Sequence, residues 1–379
     1  MIYLDNGATS FYKPPAVAAA VCRAMHRYAN PGRGGYPAAM EAAREVFYCR
    51  ELAASMFDCE PEQVVFTSNC THGLNIAIHT LVKPGARVVI SGFEHNAVTR
   101  PLYQRNAVVC VVGSQLFQPR QLLQELEQTL KAGVDAAVFT HVSNVFGYIL
   151  PMEEIAALCR KYQVPLIVDA AQSAGMLPIS LKKWDAAFIA MPGHKGLLGP
   201  QGTGILLCGM LPQPLLAGGT GTASQVQAMP EELPERLEAG TLNVPGISGL
   251  AAGMREVRQQ GLSRILKKEK AAAAQCAHIL QKFDFQVFCG EGQSGTVSFV
   301  PPMDCETMAQ ELARRGIAVR AGLHCAPLAH QSAGTLQTGT VRVSFGHDAD
   351  FSQNLALERE IRRILKKSNK KIYETPLPS

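Results

Sequence analysis

Pro165-Leu166-Ile167-Val168-Asp169-Ala170-Ala171-Gln172 and the later Met191-Pro192-Gly193-His194-Lys195-Gly196 are the two stretches on which the reading of this chain turns. The first is a short apolar, β-branched run that ends in an acid. The second follows a similar run, Ala186 to Ala190. Both have the form of buried strands. In parallel sheets covered by helices, ligands sit beyond the carboxyl ends of the strands, so Asp169 and Lys195 emerge where chemistry is expected. A lysine amine can form a Schiff base with an aldehyde cofactor, and a carboxylate beside a pyridine nitrogen keeps that nitrogen protonated, so that the ring accepts electrons. Taken singly, Asp169 also reads as a helix N-cap and Lys195 as a surface lysine in a Gly-rich turn. Their pairing at neighbouring strand ends favours the cofactor reading.

Outward from these segments the same pattern repeats. Strand-like runs at Val64 to Thr67, Arg87 to Ser91, Val108 to Val112, Ala136 to His141, Pro165 to Asp169, Ala186 to Ala190 and Gly204 to Leu207 alternate with helical periods such as Leu122 to Leu130 and Met152 to Tyr162. The expectation is an α/β fold whose large domain holds a mainly parallel seven-stranded sheet with helices on both faces. From about Gly249 a long Ala- and Lys-rich helical stretch runs to Leu280. Strands at Phe285 to Cys289 and Thr296 to Val300, a helix from Cys305 to Arg315, strands at Ile317 to Arg320 and Val341 to Phe345, and a helix to Lys367 follow. They read as a smaller α+β domain. The expected division is residues 14–249 for the large domain, with 1–13 and 250–379 forming the small one. Leu211 to Pro234, rich in Gly, Pro and Thr, is the expected long loop.

Composition sets the outer bounds. With 379 residues, 47% hydrophobic and 18% charged, the chain is long enough for one large and one smaller domain and too apolar to be disordered. The net charge of +5 is small, and its one basic run, Lys366 to Lys371, reads as a solvated helix end and not as a nucleic-acid patch. Met1 to Asn6 shows neither a basic nor an apolar leader region, and no apolar stretch reaches the ~18 residues of a membrane span. A cytoplasmic location without membrane or nucleic-acid partners is therefore expected. The 11 cysteines form no C-x-x-C pair, so neither a disulfide framework nor a metal site is expected. Gly193 to Gly204 lacks the G-K-[ST] ending of a P-loop and the G-x-G-x-x-G that opens a dinucleotide-binding helix.

Val168-Asp169-Ala170-Ala171-Gln172 followed by Gly193-His194-Lys195 resembles the signature of the class V aminotransferase-fold enzymes, which use pyridoxal 5'-phosphate (PLP) and fold type I. Other segments agree in order: Tyr3 to Thr9 with the N-terminal segment, Phe66 to Gly73 with the phosphate turn, Glu94-His95-Asn96 with the cofactor-stacking histidine. Ser143 to Gly147, Glu238 to Thr241 and Val319 to Pro327 complete the set. The resemblance spans essentially the whole chain.

Roles follow from the resemblance. Lys195 would carry PLP, Asp169 would face its ring nitrogen, His95 would stack on the ring, Gln172 would donate to the ring oxygen and His194 to the phosphate. Cys70 and Thr71 open a helical stretch, Gly73 to Leu81, where amides and the helix dipole suit a phosphate. Thr241 would reach the phosphate of the other subunit, which implies a homodimer. Cys325, in a short turn before Pro327 and beside His324, resembles the nucleophile of cysteine desulfurases. A nearby cation or the cofactor's charges would raise its thiolate fraction. Arg342 would hold the carboxylate of L-cysteine in a bidentate fork with help from Asn144, and Arg320 stands close by. The implied reaction takes L-cysteine to L-alanine and leaves a persulfide on Cys325. A small thiol or a sulfur-acceptor protein would receive that sulfur, as in iron–sulfur cluster assembly.

The chain departs from the family pattern at three places. Pro192 replaces a serine that donates to the phosphate, a hydrogen bond worth about 1.5–3 kcal/mol when made to a charged group. Leu242 stands for a proline and His72 for a glutamate. The short Cys325 loop resembles the sulfur-mobilisation group. Rival readings are a selenocysteine lyase acting on L-selenocysteine, a class V transaminase or epimerase in which Cys325 is incidental, and a non-catalytic scaffold. The last leaves the Lys195, Asp169, His95 and Arg342 complement without purpose.

Overall fold

The computed structural model describes residues 1–32, 34–222 and 225–374, with side chains described as far as Lys367. In chain order, β1 (Ile2–Tyr3), α1 (Pro15–Arg27) and α2 (Pro37–Phe57) precede the main sheet. That sheet is built from β2 (Val64–Thr67), β3 (Arg87–Ser91), β4 (Val108–Val112), β5 (Ala136–Thr140), β6 (Leu166–Asp169), β7 (Phe188–Pro192) and β8 (Gly204–Cys208). Between these strands lie α3 (Cys70–Leu81), α4 (Asn96–Gln104), α5 (Pro119–Lys131), α6 (Met152–Lys161) and α7 (Leu181–Trp184). The strand order is β2-β8-β7-β6-β5-β3-β4. The run from β7 to β4 is parallel throughout, and only β8 is reversed against both its neighbours.

Every residue of β5 to β8 is buried, which is why these strands read as continuous apolar runs and not as alternating ones. One face packs Val89, Phe139, Val168 and Ile189 against α2, α5 and α6; the other packs Val88, Val138, Ile167 and Phe188 against α3 and α4. Between Cys208 and Val244 no helix or strand forms among the described residues, so the long loop expected at 211–234 is present, with 223 and 224 outside the described residues.

α8 (Val244–Gln260) lies on α1 and α2 and adds Val244, Ile247, Leu250 and Met254 to the large core. α9 (Leu262–Gln281) then opens a second core with β9 (Gln286–Phe288), β10 (Thr296–Val300), α10 (Cys305–Arg314), β11 (Ile317–Ala318), β12 (Arg320–Gly322), α11 (Pro327–Ser332), β13 (Thr340–Ser344) and α12 (Phe351–Glu374). The single helical stretch expected from Gly249 to Leu280 is two helices. Gly261 stands between them at φ 82°, a left-handed conformation open to glycine at no steric cost. The strand expected at 317–320 is also two: β11 pairs with β1, while β12 joins the antiparallel sheet β12-β13-β10-β9. Of the basic run at the C-terminus, Lys366 and Lys367 are exposed on α12, and the side chains beyond lie outside the described residues. Among the described residues no helix is long and apolar enough to cross a membrane.

Candidate active site

The carboxyl ends of β5, β6 and β7 open into one cavity. Asn69, Cys70, Thr71, His95, Thr140, Asn144, Asp169, Gln172, Pro192, His194 and Lys195 line it, together with Ala97, Val142 and Ala171. Most of the residues singled out in the sequence are thus brought together. Asp169 ends β6, is 2% exposed, and its Oδ1 accepts from the Ala171 amide at 2.9 Å and from the Cys70 thiol at 3.4 Å. Burial and the Asp169 charge push the Cys70 thiol well up, so it stays a neutral donor.

Lys195 follows β7 in a turn that only glycines permit. A Cβ at Gly193 would lie 2.1 Å from Thr203 Oγ1, and one at Gly196 would lie 2.3 Å from the Ala174 carbonyl oxygen. Burial, and after it the Arg342 charge, pulls the lysine amine below its usual value, against the opposing charge of Asp169. A larger share of neutral amine follows, the form that attacks carbonyls and accepts protons. His95 caps α4, its Nδ1 accepting from the Ala97 amide at 3.0 Å, so Nε2 carries the proton. Burial lowers its pKa, partly offset by Asp169. His194 pairs through Nδ1 with Thr9 Oγ1 at 3.0 Å; burial, then Lys195 and Lys13, takes its pKa to about 4, so it is a neutral imidazole at pH 7. Gln172 Nε2 donates to the Gly7 carbonyl at 3.0 Å. At the start of α3, Asn69 Oδ1 takes the His72 amide. The other first-turn amides are the free donors that every helix N-terminus carries, and Thr71 stands exposed beside them.

The set fits PLP by its chemistry: a primary amine for the aldehyde, a buried carboxylate for the ring nitrogen, an imidazole and apolar walls for the ring, and helix-terminal amides for the phosphate. A profile of the aminotransferase class-V family matches residues 2–355. The chain belongs to that family. It is 32% identical to a probable cysteine desulfurase of Methanothermobacter thermautotrophicus, over 94% of this chain and 92% of the relative. A probable cysteine desulfurase of Pyrococcus abyssi is 31% identical over 91% and 89% of the two chains. Among solved structures, the apo cysteine desulfurase of Thermococcus onnurineus superposes with a TM-score of 0.90 at 30% identity, covering 97% of this chain and 95% of that one.

Two further family elements adjoin the cavity. Arg342, on β13 and 2% exposed, donates from Nη1 to the Asn144 carbonyl at 3.0 Å and from Nη2 to Asp5 Oδ1 at 2.6 Å. Arg320 is its register partner on β12 and is exposed. Cys325 is exposed on a turn whose two residues, His324 at φ 49° and Cys325 at φ 56°, are both left-handed without being glycine. Such pairs are strained and persist only where surroundings impose them. Here the His324 carbonyl accepts from Asn144 Nδ2 at 2.8 Å and the Cys325 carbonyl from the Asn96 amide at 2.8 Å. His324 Nε2 lies 3.1 Å from both Thr340 oxygens. The turn is therefore fastened to the residue after His95 and to Asn144 on the cavity wall.

Thr241 is not on this cavity. It is exposed on the wall of a separate one with Arg50, Glu62, Glu238 and Gly219 to Gly221. Of the departures, Pro192 lines the cavity at the end of β7 without an N–H or hydroxyl to donate. Leu242 packs on the large core, and His72 Nδ1 takes the Ser68 amide at 3.4 Å.

Sequence reading missed two acids. Asp5 pairs with Arg342, and Glu94, fully buried under the site, accepts from the Ser91 hydroxyl at 2.6 Å and the Thr140 amide at 2.9 Å through Oε1. Both stand inside the family-like motifs, Asp5 directly after the apolar Ile2-Tyr3-Leu4 and Glu94 directly after Phe93, and an acid next to an apolar residue there was the available signal.

Proposed function

We propose that this protein is a PLP-dependent cysteine desulfurase, acting as a homodimer that converts L-cysteine to L-alanine and passes the sulfur through Cys325 to a thiol acceptor. The observation that carries the reading is Cys325 itself: exposed, in a strained turn fastened beside the site by Asn96 and Asn144. The kinship with cysteine desulfurases along nearly the whole chain supports it.

PLP, when bound, supplies an electron sink for the pair of electrons left at the substrate's α-carbon. Lys195 and Asp169 would hold it, with His95 and Ala171 along the ring and Thr71, His194 and the first amides of α3 around the phosphate. The protein's own groups do the rest. Arg342 and Asn144 take the substrate carboxylate, which fixes the α-hydrogen relative to Lys195. Lys195 Nζ accepts that proton, a task suited to an amine kept partly neutral by burial. Cys325 Sγ attacks the substrate sulfur: an S–S bond forms, the substrate's carbon–sulfur bond breaks, and its electron pair stays on the three-carbon fragment, which takes up a proton to become alanine. Atoms balance without an external oxidant, since cysteine plus one thiol gives alanine plus one persulfide. Thr241 lies away from the Lys195 cavity of its own chain, and a second subunit would bring it to a phosphate.

Cys325→Ala tests the assignment. The variant, loaded with PLP and given L-cysteine and dithiothreitol, should lose alanine and sulfide release together while still exchanging the α-hydrogen of L-cysteine in heavy water. Sulfide release at the parent rate would sink the nucleophile role and favour a simple lyase or transaminase.

A further inference from the structure

Arg342 carries five N–H donors on a buried guanidinium. One N–H of Nη1 donates to the Asn144 carbonyl and one of Nη2 to Asp5 Oδ1, while Nε is buried without a partner. Across the strand pair stands Arg320, a like charge. Among the described residues, Asp5 is the only anion in contact with either arginine. A buried guanidinium without a counter-charge is costly, so the ligand-free protein needs Asp5 where it is. A substrate carboxylate wants the same guanidinium, and two carboxylates on one arginine repel each other.

Asp5 is also held in a particular way. Its segment is strapped to the small sheet by β1, by the Leu4 amide on the Ala318 carbonyl at 2.8 Å, and by the Asn6 amide on the Ser344 carbonyl at 3.2 Å. A few residues on, the same segment grips the lysine turn. Gly7 offers its carbonyl to Gln172, the Ser10 hydroxyl donates to the Lys195 carbonyl at 3.0 Å, and the Thr9 hydroxyl donates to the His194 carbonyl at 3.1 Å. Asp5 thus sits between the carboxylate site and the residues expected to hold the cofactor.

We propose that Asp5 is an internal stand-in for the substrate carboxylate: it neutralises Arg342 in the free protein, is displaced when a carboxylate binds, and thereby sets both the affinity for amino acids and the discrimination against amines without a carboxylate. Displacement frees the segment that carries Asp5. An amine such as cysteamine has nothing to exchange for Asp5 and leaves the ion pair closed. This inference rests on the reading of Arg342 as the carboxylate site.

The test titrates PLP-loaded protein with L-alanine, followed by cofactor absorbance, and repeats it by thermal shift on the cofactor-free protein. Asp5→Asn should bind L-alanine about tenfold more tightly, the equivalent of removing one competing charge-assisted contact. It should also melt lower without L-alanine and regain more on its addition than the parent. Methylamine binding should be unchanged. Weaker or unchanged L-alanine binding in Asp5→Asn would overturn the proposal and make Asp5 an orienting or purely structural residue. Arg342→Ala separates this failure from that of the underlying reading: it must lose L-alanine binding, and if it binds like the parent, Arg342 is not the carboxylate site at all. A measurement on the parent alone stands if the variant misfolds. Amide hydrogen exchange at Asn6 and Gly7 should accelerate on L-alanine binding, and unchanged or slower exchange refutes displacement.

Discussion

Glu94→Gln should make the protein more stable at neutral pH. Glu94 is 0% exposed; one carboxyl oxygen takes the Ser91 hydroxyl and the Thr140 amide, and the other is buried without a partner. Burial, with Asp169 adding, pushes its pKa up to about 8, against the lowering effect of the two donors. An unfolded chain releases the same proton near 4.5. Between these values the unfolded state binds fewer protons than the folded one, so stability is lost as pH rises from about 4.5 to about 8. At pH 7 this amounts to about 3 kcal/mol, from about 1.4 kcal/mol for each pH unit above the unfolded value. Glutamine keeps the acceptor for Ser91 and Thr140 and cannot ionise. Urea denaturation followed by the fluorescence of Trp184, the single tryptophan, gives the stability of parent and variant at pH 5, 6, 7 and 8. The difference between the two proteins should shift in the variant's favour by about 1.4 kcal/mol per pH unit between pH 5 and 7 and level off toward pH 4.5 and above pH 8. Parallel pH curves for the two proteins would refute a neutral buried acid and require an ionised Glu94 with a partner.

Two further outcomes bear on the cofactor. Borohydride reduction of the PLP-loaded protein should fix the cofactor to Lys195 in a peptide map, and Lys195→Ala should show no reduced adduct; an adduct on another lysine contradicts the assignment. Thr241→Ala should retain PLP about tenfold or more weakly while remaining dimeric, as expected from loss of one charge-assisted hydrogen bond. Undiminished retention, or an active monomer in sedimentation, would remove Thr241 from the site.

The main sheet was legible because its central strands are buried on both faces. Runs such as Leu166 to Asp169 and Phe188 to Pro192 lack alternation, and their carboxyl ends mark the cavity on which Asp169 and Lys195 lie. The helix break at Gly261 was not, since a single glycine inside a helical period is as often tolerated as decisive. Val319 hides the split between β11 and β12 for a related reason: the chain stays extended while it passes from one sheet to the other, and extension is all that the residues encode. The Asp5 to Arg342 pair joins positions 337 residues apart. Glu94 meets Thr140 46 residues away. Neither contact leaves a local period, so each waits for the tertiary structure.

The choice of one cysteine among 11 shows how the two kinds of information combine. Burial alone pushes up the Cys276 thiol, raises Cys159 to about 12, and dominates at Cys59, also to about 12, with Asp58 and Glu60 adding. Burial likewise leads at Cys305, raised to about 11. A thiol held that far above neutrality supplies almost no thiolate, so none of these can be the nucleophile. Exposure leaves Cys22 and Cys325. Cys22 lies within a helix, α1, whose regular backbone hydrogen bonds explain its position completely. Cys325 is held in a conformation that costs energy, in a turn whose carbonyls accept from the Asn96 amide and Asn144 Nδ2. Strain imposed at an exposed thiol fastened to the cavity wall is what the proposed reaction asks for, since its sulfur must stand at one particular place when the substrate arrives.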